Sequence, residues 1–204
     1  GDVLTNPENT VVKKRSFGND SAKVAALSQK VLDGLHEENV YGVIKHFPGH
    51  GATAGDTHEG YAYTDKSLEE LEQQELVPFQ NAIENHIAII MAGHISVPNV
   101  TGDNTPSSLS KIMITDVLRE KMGFDGIVIT DALNMGAISQ HYSSAEVSVK
   151  VIEAGGDMLL MPENFQEAYQ GILEAVQNGT LTEERIDESV RRILKVKEKL
   201  TAED

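Results

Sequence analysis

Four short β-rich runs recur along the chain, Tyr41 to His46, Ala88 to His94, Gly126 to Asp131 and Asp157 to Met161, each ending in polar or chemically reactive residues. A helical pattern follows each run. The first three are close to continuous in apolar residues, as strands buried on both faces are. Strands alternating with helices at this spacing imply a parallel sheet with right-handed crossovers. Helices are expected near Ser21 to Glu37, Ser143 to Ala154, Asn164 to Gln177 and Thr182 to Leu200. Ser67-Leu68-Glu69-Glu70 has capping-box spacing, and Gly123 and Gly155-Gly156 stand where helices should stop.

A complete (β/α)8 TIM barrel takes about 250 residues, and these 204 residues supply four strand and helix units. The expected fold class is therefore α/β, an apparent half-barrel of the TIM type. Residues 1–204 are expected to form a single domain, the C-terminal portion of such a barrel, led by a long loop over residues 1–19 that carries no clear periodicity. An open half leaves strand edges and a barrel interior that proteins normally cover or pair. A partner is expected: a missing N-terminal half-barrel or a second copy.

Asp and Glu total 32 against 17 Lys and Arg, a formal charge of −15, which disfavours nucleic acid or an anionic membrane as a partner. Cysteine is absent, so disulfides and thiolate metal sites are excluded. The longest apolar stretches, around Ile87 to Met91 and Ile127 to Ile129, fall far short of the roughly 20 residues a membrane-spanning helix needs. Gly1 to Thr10 show no signal-peptide pattern, and the compartment stays open.

Chemistry concentrates between Lys45 and His58, KHFPGHGATAGDTH, directly behind the apolar run Val40 to Ile44. In parallel α/β folds that strand end is where catalytic groups collect. Asp56 and His58 are two apart in a loop with Gly49, Gly51, Gly55 and Gly60, close enough to touch. A carboxylate bonded to an imidazole fixes its tautomer and gives a proton-transfer group usable near neutral pH. The plain alternative is a solvated Asp and His. Lys45 and His46 end the strand, where side chains alternate, so at least one reaches the site. Its donors would bind substrate hydroxyls, or His46 is a satisfied histidine at the barrel mouth. His50, between glycines, is expected to stabilise the loop backbone.

Asp131 closes the apolar run Gly126 to Thr130, where a carboxylate is tolerated if it faces an open cleft, as a nucleophile does, or caps a helix. His94 occupies the corresponding end after Ala88 to Gly93. A metal site ranks lower: there is no H-x-H or H-E-x-x-H spacing, and Lys45 would repel a cation. No P-loop or G-x-G-x-x-G follows a strand, so neither metal nor cofactor is expected.

The ordered set N-P-x-N-x-V and R-S-F-G between Asn6 and Gly18, KHFPGHG with D-x-H, M-x-x-H-I, V-I-T-D-A-L-N-M and A-G-x-D-M-L-L resembles the family 3 glycoside hydrolases. Within them it is similar to the bacterial β-N-acetylglucosaminidases of the NagZ type. The resemblance implies a retaining hydrolase that removes terminal β-linked N-acetylglucosamine from muropeptide or cell-wall fragments. It places Asp131 as nucleophile, His58 as acid/base with Asp56 as its dyad partner, and Arg15, Lys45 and His46 on the sugar hydroxyls. His94 would lie near the same pocket. A further sugar-binding Asp of the family is expected on a strand upstream of this sequence.

Overall fold

The computed structural model describes residues 1–54 and 62–201. Gly1 to Asp20 form no regular element, and helix α1 (Ser21–Glu37) begins where the Asp20 side chain accepts from the Lys23 amide. Three strands follow in one parallel sheet, β1 (Val43–Phe47), β3 (Ile89–Ala92) and β5 (Ile127–Thr130), in the order β1-β3-β5. Two short strands, β2 (Ala62–Tyr63) and β4 (Ile95–Ser96), pair in parallel beyond the sheet.

Register explains which rows hold the sheet together. Ile44, Ile90 and Val128 lie side by side across β1, β3 and β5. All three are buried in the main core. That core takes in Phe79 and Ala82 of α3 (Val77–Glu84) and Met113, Ile114, Val117 and Leu118 of the π-helix Ile112–Lys121. A fully buried side chain of this size contributes about 1.5–3 kcal/mol, so the helix-covered rows dominate. The neighbouring row, Val43, Ile89 and Ile127, starts the opposite face. There Val43 is 38% exposed, and Ile89, Met91 and Ile129 are only partly buried. One face of the sheet is thus covered by helices, and the face that would line a barrel is partly open.

The remaining helices match their end signals. Helix α2 (Leu68–Gln73) starts at the Ser67–Glu70 capping box. The short α4 (Pro98–Thr101) and α5 (Gly136–Ser139) follow β4 and β5. Helix α6 (Ser144–Ala154) starts at a second capping box, Ser143 with Glu146, and ends on Gly155 at φ 105°. Helices α7 (Phe165–Gln177), capped by Asn164, and α8 (Glu183–Thr201) complete the chain.

The fourth expected strand is much reduced. Between Asp157 and Met161 only a parallel bridge from Met158 to Ile129 remains. The Asp157 carboxylate takes the Val128 amide, and the Leu160 amide donates to the Thr130 hydroxyl instead of a backbone carbonyl. Met161 then turns to φ 50° before Pro162. Backbone bonds to β5 remain at the Asp157, Met158 and Thr130 amides, while side chains take the Val128 and Leu160 amides, and the run pairs as a bridge.

Candidate active site

The carboxyl ends of β1, β3 and β5 bring together His46, His94 and Asp131. The pairing of β1 with β3 shifts between Ile44 and Phe47, and the Lys45–His46 and Phe47–Pro48 peptide bonds are cis. His46 is buried while Lys45 is exposed. Phe47 anchors the turn from below, edge-on to Phe79 at 5.5 Å. Gly49 holds φ 135°, and a Cβ there would stand 2.7 Å from that of Glu75; one on Gly51 would stand 2.0 Å from the Val3 carbonyl oxygen. Both glycines are therefore steric requirements of the turn.

Asp2, a residue with no role in the sequence reading, organises this turn. Its Oδ1 accepts from the backbone amides of His46 at 3.1 Å and His50 at 2.7 Å, and its Oδ2 lies 2.7 Å from His46 Nδ1. Burial alone would raise this carboxyl, but hydrogen bonding and charge from His46 outweigh it and hold Asp2 below the ordinary carboxylate value. Forty-four residues separate the pair in sequence, and no spacing pattern links them.

The leading segment is tied to the same turn. Asn6 Nδ2 donates to the Thr53 carbonyl at 2.9 Å, and the buried Asn9 donates to the His50 carbonyl at 2.8 Å and the Thr53 hydroxyl at 3.0 Å. Farther in, buried Glu75 accepts from the Thr5 hydroxyl at 2.5 Å and from Lys66 Nζ at 2.7 Å. Glu75 thus links the leading segment to the chain after β2.

Asp131 follows β5 directly, and its amide continues the ladder by donating to the Ala92 carbonyl. Its Oδ1 accepts from the Ala132 amide at 2.8 Å, while Oδ2 lies 3.9 Å from His46 Nε2. The side chain is 20% exposed, so the carboxylate is both held and reachable. It caps no helix, since α5 begins only at Gly136.

His94 is buried beside it. Nε2 must donate to the Ala132 carbonyl at 3.1 Å, because a carbonyl can only accept, and Nδ1 then accepts from the Ser108 hydroxyl at 2.8 Å. Both ring nitrogens are engaged by the protein, and His94 fixes the loop that follows Asp131. Burial pushes its imidazole below the ordinary value, against the opposing pull of the Ala132 carbonyl and the Asp131 charge. His50 is lowered in the same way, by burial first, with Arg15 among the charges acting on it. Arg15 is exposed, with Nη2 donating to the Val11 carbonyl at 3.3 Å. Asp56 and His58 lie outside the described residues.

The arrangement holds a partly exposed carboxylate at a strand end with an imidazole beside it. The chain from residue 1 to 196 matches the glycosyl hydrolase family 3 N-terminal domain, and it belongs to that family. It is 35% identical over 204 residues to β-hexosaminidase LpqI of Mycobacterium tuberculosis, covering 96% of this chain and 52% of that protein. Against β-hexosaminidase A of Pseudoalteromonas piscicida the identity is 31% over 219 residues, covering 98% of this chain and 37% of the other. Among solved structures, the family 3 β-N-acetylglucosaminidase of Paenibacillus sp. str. FPU-7 superposes with a TM-score of 0.94 at 37% identity, over 100% of this chain and 39% of that one. The β-N-acetylglucosaminidase of Thermotoga maritima superposes at 0.85 with 33% identity, over 96% and 41%. The chain thus spans about half or less of these relatives, and its fold is part of a TIM-type barrel.

Proposed function

We propose that this chain is the C-terminal, nucleophile-bearing portion of the barrel domain of a retaining β-N-acetylhexosaminidase that removes terminal β-linked N-acetylglucosamine from cell-wall or muropeptide fragments. The observation that carries this reading is Asp131: a backbone-anchored carboxylate at a strand end, partly exposed and flanked by His46. Asp131 attacks the anomeric carbon as the glycosidic bond breaks, and His58, oriented by Asp56, delivers a proton to the leaving oxygen. The neutral imidazole then takes a proton from water, whose oxygen attacks the anomeric carbon and releases Asp131. Retaining glycosidases ordinarily place a second carboxylate roughly 5–5.5 Å from the nucleophile; the D-x-H pair takes over its proton-transfer role here. Arg15, Lys45 and His46 bind sugar hydroxyls, and His94 acts through the Ala132 carbonyl on the loop beside the nucleophile.

The partly open inner face, with Val43 38% and Met158 37% exposed at its two sides, supports a partner that completes the barrel, an N-terminal half or a second copy. A β-glucosidase-like activity is the second reading, favoured by the 30% identity to a β-N-acetylglucosaminidase/β-glucosidase of Cellulomonas fimi. Hydrolysis of p-nitrophenyl N-acetylglucosaminide is compared with that of the glucoside, on this chain and on the full-length protein. Preference for the N-acetyl sugar is expected, and preference for the glucoside overturns it. Activity confined to the full-length protein would show that the chain needs the rest of its barrel.

A further inference from the structure

Asp2 is buried, and three donors converge on its carboxylate. An ionised carboxylate only accepts, so the 2.7 Å contact to His46 Nδ1 requires the proton to be on Nδ1. The other ring nitrogen, Nε2, then points to Asp131. Building on the assignment of Asp131 as nucleophile, we propose that Asp2 is a positioning residue for the reaction: it keeps Nδ1 of His46 protonated and makes Nε2 the only ring nitrogen that exchanges hydrogen bonds with the cleft.

The backbone makes this arrangement hard to escape. Oδ1 is already committed to two amides of the same turn, so the carboxylate cannot rotate away without stranding both. The ring in turn cannot flip without giving up its contact to Oδ2. Glu75 and Thr5 brace the segment that carries Asp2, and Gly51 packs against the carbonyl of Val3, the next residue. The pair is therefore set before any substrate arrives.

Asp2→Asn is the informative change. The amide oxygen can still accept from the two backbone amides, which leaves the NH2 facing Nδ1. An NH2 only donates, so Nδ1 must become the acceptor and the ring proton moves to Nε2, toward Asp131. Nitrogen-15 spectra of the histidine rings, with His46 assigned by the loss of its signals in His46→Gln, read this directly on the chain. Protonated Nδ1 in the wild type and unprotonated Nδ1 with protonated Nε2 in Asp2→Asn are expected. An unprotonated Nδ1 in the wild type overturns the proposal, and that measurement needs no variant to fold. An unchanged ring in a folded Asp2→Asn overturns it too.

In the full-length protein, Asp2→Asn is expected to lower kcat on the order of 10²-fold, with good and poor aryl leaving groups affected alike, because the defect lies at Asp131 and not at the proton donor. Unchanged kcat would sink the role in positioning. If wild-type enzyme cleaves no N-acetylglucosaminide, the hydrolase reading fails while the ring-proton result still decides whether Asp2 sets the state of His46.

Discussion

Nε2 of His46 and Oδ2 of Asp131 stand 3.9 Å apart at the ends of β1 and β5. The gap is too long for a direct hydrogen bond, and with the ring proton on Nδ1 both atoms are acceptors, so each takes a donor of its own. The pair thus presents two acceptors side by side, with Asp2 behind the imidazole and the Ala132 amide behind the carboxylate. Neither contact is available to a histidine or aspartate placed at random on a strand end.

If Asp131 is the nucleophile, Asp131→Ala in the full-length protein should lower turnover by at least about 10³-fold. It should also abolish covalent trapping by a 2-fluoro glycoside, in which fluorine replaces the 2-acetamido group, read as a mass increase on the peptide spanning residues 127–135. Trapping that persists in the variant would move the nucleophile elsewhere.

His58→Ala addresses the other half of the mechanism. An acid that protonates the leaving oxygen matters little when the leaving group is already a stable anion. The loss should therefore be on the order of 10²-fold or more for a poorly activated aryl glycoside and much smaller for a dinitrophenyl glycoside. A steady-state comparison of the two substrates checks this, and equal losses would remove His58 from the acid/base role.

The three sheet strands were legible because Ile44, Ile90 and Val128 belong to continuous apolar runs, and such runs need burial on both faces. The helices were legible because Ser67, Ser143 and Asn164 announce their starts and Gly155 an end. Asp131 and His46 could be placed from their strand ends. What could not be read was any pairing over distance. Asp157, in the fourth run, is held by arginines from other elements. Asp2 matters only because the His46 turn folds back onto it, and His94 engages Ser108 and Ala132 through contacts that no local pattern encodes.

His94 makes an acid-sensitivity prediction with a definite sign. Its folded value lies below the unfolded imidazole value of about 6.5, so the unfolded chain takes up the proton first. The stability it contributes is complete above that value and is lost as pH falls toward the folded one. Asp2 has the same sign at lower pH, since its folded value also lies below the unfolded carboxyl value. The charges acting on His94 are Asp131, which opposes the shift, and His46, which adds to it. His94→Gln can keep the donor to Ala132 and the acceptor for Ser108 without titrating. Thermal unfolding between about pH 5 and 7 should therefore be flatter in the variant than in the wild type, leaving the contribution of His50; identical slopes would show that His94 does not titrate on unfolding.

The strongest single effect on stability is expected at Asp157, far from the chemistry. Its carboxylate has no exposed side-chain surface and meets Arg119 at 2.6 Å, Arg192 at 3.0 Å and the Ser189 hydroxyl at 2.7 Å, with Arg185 at 3.9 Å. Arg119 comes from the π-helix and Arg185, Ser189 and Arg192 from α8, so one anion ties both to the end of the sheet. Burial lowers the Arg119 and Arg185 guanidinium values, and the Asp157 charge opposes it. Asp157→Ala strips the counter-charge from cations that stay partly buried, a situation that costs about 3–5 kcal/mol when one partner of a buried pair is removed. Asp125→Ala, which breaks the exposed contact to Lys195 at 3.2 Å, should cost no more than about 1 kcal/mol. Urea unfolding of both variants measures the contrast. Hydrogen exchange should show α8 losing protection first in Asp157→Ala, and equal, small losses in the two variants would mean that the arginines find other partners.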